Sequence, residues 1–172
     1  MSKALLYHYY SDKEAVLFDI LRAHLEDLVA GVERAVRAPG DPAQRVHAIA
    51  AALLEAYRDA DAEHQVQLAN LKFLPPEKQE QLRDMERVLV AQFSNALAEA
   101  LPAIGRGPLL KPLTMSAFGM LNWHYLWFRE GRGMSRGDYA RFVTQLILAG
   151  ATEAVATASA GVRVAKRPRR GR

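Results

Sequence analysis

The side chains able to carry out chemistry are few in this 172-residue chain, and their spacing forms no catalytic or metal-binding pattern. Its five histidines stand far apart in sequence, and none belongs to an HExxH motif or another ligand-spaced pair. Glu63 and His64 are adjacent, but adjacent residues on a helix point to different faces. The sequence has no cysteine, no phosphate-binding P-loop and no GxGxxG motif. We therefore expect no enzyme activity, no catalytic residue, no bound metal and no cofactor.

A polar and aromatic segment at the start of the sequence is a candidate nucleic-acid contact. Residues 2–10 read SKALLYHYY, and the following Ser11-Asp12-Lys13-Glu14 has the pattern of a capping box. Lysine and tyrosine bind phosphates, and serine, tyrosine and histidine can reach base edges from a helix in the major groove. A solvated helix end explains the same residue types equally well, so these residues alone leave both interpretations open.

A run of aromatic residues in the C-terminal half indicates a helix that is buried on more than one side. Residues 122–128 read NWHYLWF. On a continuous helix, Trp123 and Trp127 share one face, while Tyr125 and Phe128 cover another. Such a helix can face both its own core and a second subunit, although a purely internal core helix is the alternative. We predict a dimer interface formed by this helix and the last one, with Trp127, Phe128, Phe142, Leu146 and Ile147.

The elements that position these residues are all predicted to be helical. Apolar residues recur three and four positions apart, and no alternating run of β-branched residues interrupts them. The sequence therefore predicts an all-α fold of about seven helices, with a Gly/Pro-rich loop over residues 102–112. The predicted helices cover about residues 2–10, 12–37, 42–59, 61–73, 76–101, 113–129 and 135–158.

Positive charge is concentrated in the last twelve residues. The formal net charge is +4, and six positive side chains lie in that segment, which leaves −2 for the preceding 160 residues. Helical periodicity ends near residue 158, so we predict a disordered basic tail over residues 159–172. No run of eighteen apolar residues predicts a membrane span, and the first residues lack a signal-peptide pattern. We therefore expect a cytoplasmic protein with no membrane partner.

Residues 2–15 resemble the recognition helix and following turn of TetR-type transcriptional regulators. The sequence SKALLYHYYSDKEA matches most positions of the family pattern VSKGLLYHYF, a spacer and SKEAL, with Ala4 where glycine is more usual. The resemblance implies a homodimer that binds operator DNA, with one recognition helix per subunit in successive major grooves. Carried over position by position, it implies DNA contacts from Ser2, Lys3, Ala4, Tyr7, His8 and Lys13.

In that family, two further helices precede the recognition helix. We therefore expect the sequence to be an N-terminally shortened regulator, in which residues 1–11 are the remnant of a helix-turn-helix domain. Residues 12–158 are then the ligand-binding and dimerisation domain. On this expectation, specific operator binding belongs to the full-length form.

A looser resemblance concerns residues 118–123, which read FGMLNW, with Trp127 and a Gly-rich turn after them. They are similar to the C-terminal domain of a family branch that responds to acyl-CoA thioesters. This implies a repressor released by a small apolar or acyl-CoA effector, bound among residues 42–128. Candidate pocket walls, each of which can also be an ordinary core residue, are Leu53, Tyr57, Leu68, Leu71, Met85, Leu89, Phe93, Phe118 and Trp123.

One alternative function stays open at this point. An α-helical interaction protein could use the basic tail to contact nucleic acid or an anionic surface. The resemblance over residues 2–15 favours the regulator.

Overall fold

Helices make up nearly all of the described structure, a computed structural model that describes residues 13–58, 71–129 and 131–161. No strand occurs within these ranges, so the predicted all-α class is confirmed. Two short 3₁₀ segments lie at Leu71–Phe73 and His124–Leu126. The α-helices are α1 (Lys13–Arg37), α2 (Pro42–Ala56), α3 (Pro76–Ala100), α4 (Leu110–Asn122) and α5 (Arg136–Gly161). The predictions made for residues 1–12, 59–70 and 162–172 lie outside the described residues.

Helix α1 is a long rod with one buried face. It begins at Lys13 and ends at Arg37, within one residue of its predicted bounds. Its buried apolar stripe consists of Leu21, Leu25, Leu28 and Val32, spaced by three or four residues. With 25 residues, α1 is roughly 37 Å long. It packs against α2 and α3, so a displacement of either helix acts on this rod.

Helix α2 begins after a capping box at Asp41, and the sequence Asp41-Pro42 is typical of such a helix start. The Asp41 carboxylate accepts a hydrogen bond of 2.8 Å from the Gln44 backbone N–H. The Asp41 backbone N–H in turn donates to Gln44 Oε1 at 2.9 Å. Pro42 occupies the first helical turn, where its missing N–H costs nothing. These contacts fix the point at which the chain turns back along α1.

Helix α4 differs from its prediction at both ends. It begins at Leu110 rather than near residue 113, because Pro112 lies in the first turn, where proline is tolerated. It ends at Asn122 rather than near residue 129, and the chain continues as the 3₁₀ segment His124–Leu126. The sequence predicted that Trp123 and Trp127 share one face of a continuous helix. This prediction is wrong, because the helix ends before both residues.

The hydrophobic core is built around α2. This helix packs against α1, α3 and α5, and α4 packs against α3 and α5. Ile49, Leu53 and Leu54 of α2 are fully buried in this core. Helix α5 begins at Arg136 and continues to Gly161, beyond the predicted boundary at residue 158. None of the helices in the described part of the chain has an apolar stretch long enough to cross a bilayer.

Candidate functional site

A group of buried or half-buried polar and aromatic residues lies where the end of α2 meets the start of α5. We call it the Tyr57–Arg136 cluster, and it consists of Tyr57, Asn122, His124, Arg136 and Tyr139. Tyr57 follows the last residue of α2, and Asn122 ends α4. His124 opens the second 3₁₀ segment, and Arg136 opens α5. Four elements therefore each contribute a polar side chain to one place in the fold.

An arginine–histidine hydrogen bond is the centre of this cluster. Arg136 Nη1 donates to His124 Nε2 over 2.7 Å, and both residues are buried. Because an arginine side chain only donates, His124 Nε2 must carry the lone pair, which assigns a neutral imidazole with its hydrogen on Nδ1. A second, longer hydrogen bond of 3.4 Å joins Arg136 Nη1 to the backbone carbonyl of Leu54. The Arg136 guanidinium also lies 4.8 Å from the Phe128 ring centre, in cation–π range.

Two tyrosines anchor the cluster to the helices around it. The hydroxyl of Tyr57, which is 3% exposed, donates to Asn122 Oδ1 at 2.8 Å and so joins α2 to α4. The Tyr139 hydroxyl donates to the Met120 carbonyl at 2.9 Å and joins α5 to α4. Burial raises the pKa of both phenols, so both are neutral donors at physiological pH.

Aromatic contacts connect the cluster to α1. The ring of His24, a buried residue of α1, lies 6.1 Å from the ring of Tyr57. The Tyr57 ring lies 6.3 Å from that of His124, which stacks on Tyr139 at 6.1 Å. Tyr57 therefore connects the cluster to the middle of α1, and His124 reaches α1 through Tyr57.

Most of the predicted pocket-wall residues lie in the core beside this cluster. Leu53, Tyr57, Leu89, Phe93 and Phe118 are buried, and Leu71 and Met85 pack against them from more exposed positions. The rings of Phe93 and Phe118 meet edge to face at 5.4 Å, which joins α3 to α4.

One predicted wall residue among those described is not part of this core. Trp123 lies on the surface, 55% exposed, because α4 ends just before it and the 3₁₀ turn changes the direction of the chain. Its ring stacks on Tyr125 instead. Leu68 lies outside the described residues.

Two open grooves lie on the surface of the described part of the chain. One, of about 590 Å³, lies between α3 and α4, and the other, of about 610 Å³, lies between α1 and α2. None of the predicted wall residues is among the residues that line either groove.

The predicted dimer residues divide into an exposed set and a buried set. Trp127, Phe142 and Leu146 are each about half exposed. Phe128 and Ile147 instead face the interior of their own chain: Phe128 packs against His124 and Arg136, and Ile147 belongs to the hydrophobic core. The sequence pattern missed Leu126, which is 56% exposed beside the tryptophans. We define the apolar patch as Trp123, Leu126, Trp127, Phe142 and Leu146.

Only one predicted DNA-contact residue is among those described. Lys13 is the first residue of α1, and it is exposed. Ser2, Lys3, Ala4, Tyr7 and His8 lie outside the described residues. No group of three or more histidine, aspartate and glutamate side chains in the described ranges has the arrangement of a metal site.

Sequence reasoning did not identify Asn122, His124, Arg136 or Tyr139 as a site. A charged residue at a helix start is normally solvated, so the sequence did not indicate that Arg136 belongs to a buried site. The one available signal was His124, a polar residue inside an aromatic run, because a histidine enclosed by aromatic rings needs a hydrogen-bond partner.

Comparison with known families and structures places this architecture among transcriptional regulators. Residues 39–151 match the family described as "Tetracyclin repressor-like, C-terminal domain". A TetR-family transcriptional regulator from Bordetella parapertussis superposes with a TM-score of 0.80 at 33% identity, over 86% of this chain and 77% of that one. The regulator PfmR from Thermus thermophilus superposes with a TM-score of 0.74 at 26% identity, over 87% and 82%.

A third structure was solved with ligands bound. AibR, in complex with isovaleryl coenzyme A and operator DNA, superposes with a TM-score of 0.70 at 22% identity, over 85% of this chain and 80% of that one. This likeness concerns the fold. No curated protein sequence matches the chain.

Proposed function

Since the chain belongs to the TetR family of transcriptional regulators, we propose that it represses transcription as an operator-bound homodimer and is released by an acyl-CoA effector. The observation that carries the effector proposal is the buried Tyr57–Arg136 cluster beside an apolar core. Buried polar groups next to an apolar wall are the usual composition of a small-molecule site.

The chemistry of this region suits a thioester. Leu53, Leu89 and Phe93 offer an apolar surface for an acyl chain. A thioester carbonyl accepts hydrogen bonds, and the neutral Tyr57 hydroxyl is a donor beside that surface. The relative crystallised with isovaleryl coenzyme A supports the ligand class.

The contacts of Tyr57 support coupling between such a ligand and DNA. Tyr57 bonds Asn122 of α4 and touches His24 of α1. A ligand that takes the Tyr57 hydroxyl away from Asn122 loosens α4 from α2 and alters the packing against α1. The residues proposed to contact DNA immediately precede α1, so a shift of α1 changes their spacing in the dimer. Coupling of this kind requires the ligand to bind the two arrangements with different affinities.

The exposed apolar patch supports dimerisation. Trp127 and Phe142 are both about half exposed and both lie next to the Tyr139 ring, at 5.0 and 6.5 Å between ring centres, so they expose neighbouring apolar surface that is unfavourable in water. Gly150 lies one turn after Leu146 on α5, and a Cβ built there meets no atom within 4 Å. Open glycines allow a second pair of helices to approach closely. A stable interface of this kind normally buries more than about 1,000 Å².

Ligand-dependent melting tests the effector proposal. We expect medium-chain or aromatic acyl-CoA thioesters to raise the melting temperature by mass action, by an amount that grows with ligand concentration. Tyr57→Phe should reduce the shift, whereas Tyr125→Phe, at a partly exposed tyrosine outside the cluster, should leave it unchanged. An absence of any shift across a panel of thioesters would remove the acyl-CoA proposal and leave the family assignment intact.

Operator release is tested with the full-length form. DNA fragments selected by its dimer from a random library should dissociate when the thioester that raises the melting temperature is added. Retention of the fragments at saturating thioester would show that the ligand is not the inducer.

A further inference from the structure

The surface between α3 and α4 combines apolar residues with cations. The groove of about 590 Å³ noted above lies there, and we call it the α3–α4 groove. This volume is within the range of about 300–1,000 Å³ that small-molecule sites occupy. Val90 and Ala91 of α3 and Met115 of α4 form its apolar floor. Met115 is 49% exposed, so a substantial apolar surface lies open to solvent here.

Three cations surround this floor. Arg83 and Arg87 come from α3, and Lys111 comes from the first turn of α4. Glu86 is the one carboxylate among the described lining residues, which leaves a net charge of +2. A flat apolar floor beside cations matches a ligand that carries both an aromatic base and phosphates, because arginine binds phosphate through paired N–H groups.

The cations are available to a ligand. Arg87 pairs with Glu80 and Asp84, and Arg83 with Glu80, but all of these pairs lie along one exposed helix face. Exposed pairs of this type contribute little stability, so a phosphate can replace them at low cost. Lys111 makes no ion pair with any of the described residues.

The groove and the proposed effector region share the same two helices. Leu89 and Phe93 lie on the core side of α3, and Phe118 lies on the core side of α4. Thr114 belongs to both surfaces: it lines the groove, is 1% exposed and bonds the Leu110 carbonyl within α4. A molecule with an anionic head and an apolar tail therefore meets a suitable surface for each part on α3 and α4.

We propose that the α3–α4 groove binds the phosphorylated nucleotide end of a coenzyme A thioester. This inference rests on the proposed function and specifies which part of the effector the outer surface recognises. The adenine lies on Val90, Ala91 and Met115, and the phosphates take hydrogen bonds from Arg87 and Lys111. Recognition of the nucleotide adds affinity for the thioester over the free acid, which lacks phosphates.

Calorimetric titration of charge variants tests this assignment. The ligands are a thioester that stabilises the wild type, the free acid of the same chain, and coenzyme A itself. We expect Arg87→Gln and Lys111→Gln each to weaken thioester binding about tenfold, as the loss of a charge-assisted hydrogen bond implies. Arg141→Gln, which removes an exposed cation on α5, is the matched control and should bind like the wild type. Free-acid affinity should be the same in all four proteins.

A second variant tests the floor independently of the cations. Met115→Glu adds a carboxylate at an exposed position, so folding is retained, and we expect thioester affinity to fall at least tenfold. If the groove variants bind the thioester as tightly as the wild type does, the groove assignment is wrong and the acyl-CoA effector proposal is unaffected. If the wild type binds the free acid as tightly as the thioester, the nucleotide is not recognised and the assignment fails. If no thioester stabilises the wild type, the proposed effector class fails and the groove assignment fails with it.

Discussion

The Arg136–His124 hydrogen bond allows a quantitative test of the cluster. Arg136→Met removes the donor to His124 Nε2 and the guanidinium above Phe128, and it keeps a long side chain that can fill the space. A hydrogen bond to a charged group contributes about 1.5–3 kcal/mol, and a buried cation–π contact contributes about 2 kcal/mol. Removal of the buried charge offsets part of this loss. We therefore expect the free energy of unfolding to fall by about 3 kcal/mol.

The reciprocal variant His124→Phe keeps the aromatic packing and removes the acceptor. The new ring can still pack against Phe128 and Tyr139, but Arg136 loses its 2.7 Å acceptor. Because His124 is neutral, the loss is that of one hydrogen bond to a charged group, about 1.5–3 kcal/mol, and the Leu54 carbonyl and the Phe128 ring still contact the guanidinium. The double variant replaces both polar groups with apolar ones of similar volume, a change that is often nearly neutral. Its loss should therefore be smaller than the sum of the two single losses by about 1.5–3 kcal/mol.

Urea unfolding followed by far-ultraviolet circular dichroism measures all three losses. Protein concentration must be held constant, because the proposed dimerisation would make apparent stability depend on it. Arg141→Met is the control, since its pair with Asp138 is exposed and screened by solvent. Additive losses within about 0.5 kcal/mol would refute the reasoning, because residues that share a buried hydrogen bond cannot behave independently.

Three further predictions concern the dimer, an ionisable tyrosine and a helix cap. Leu146→Glu should yield a monomer in sedimentation. Gly150→Leu should weaken dimerisation without lowering protomer stability, because a Cβ at this position meets no atom of the protomer within 4 Å. An unaffected dimer would exclude this face as the interface. Because burial raises the pKa of Tyr57, the contribution of this residue to stability is complete below about pH 10, where unfolded tyrosine starts to ionise. This contribution is lost as the pH rises further, so Tyr57→Phe should flatten the alkaline decline in melting temperature. Asp41→Ala should cost about 1 kcal/mol in urea unfolding by removing the α2 cap, and no change would mean that water replaces it.

Periodicity and capping patterns predicted three helices closely. Leu21, Leu25, Leu28 and Val32 recur on one face of α1, and burial of that face follows from their spacing alone. Asp41-Pro42 fixed the start of α2 and Pro75-Pro76 that of α3, because each places proline where the first backbone N–H needs no partner.

The aromatic segment could not be predicted in the same way. Aromatic residues fit a helix over 113–129, but apolar spacing does not show where backbone hydrogen bonds stop, and α4 ends at Asn122. Nor does an apolar residue reveal whether it faces its own core or a second subunit. Phe128 and Ile147 have the same residue chemistry as Trp127 and Phe142, and only the packing of α5 against α2 and α4 separates the buried pair from the exposed pair.

The position of α2 explains how a small change in the cluster can reach the start of α1. At its N-terminal end, Arg45 pairs with Glu99 of α3 at 2.6 Å. At its C-terminal end, the Leu54 carbonyl and Tyr57 contact α5 and α4. This 15-residue helix is held at both ends and buried on one face, so we expect it to move as one body when the proposed effector binds. Because His24 of α1 packs on Tyr57, we expect a displacement of α2 to reach α1 at mid-length and to continue along α1 to its exposed end at Lys13.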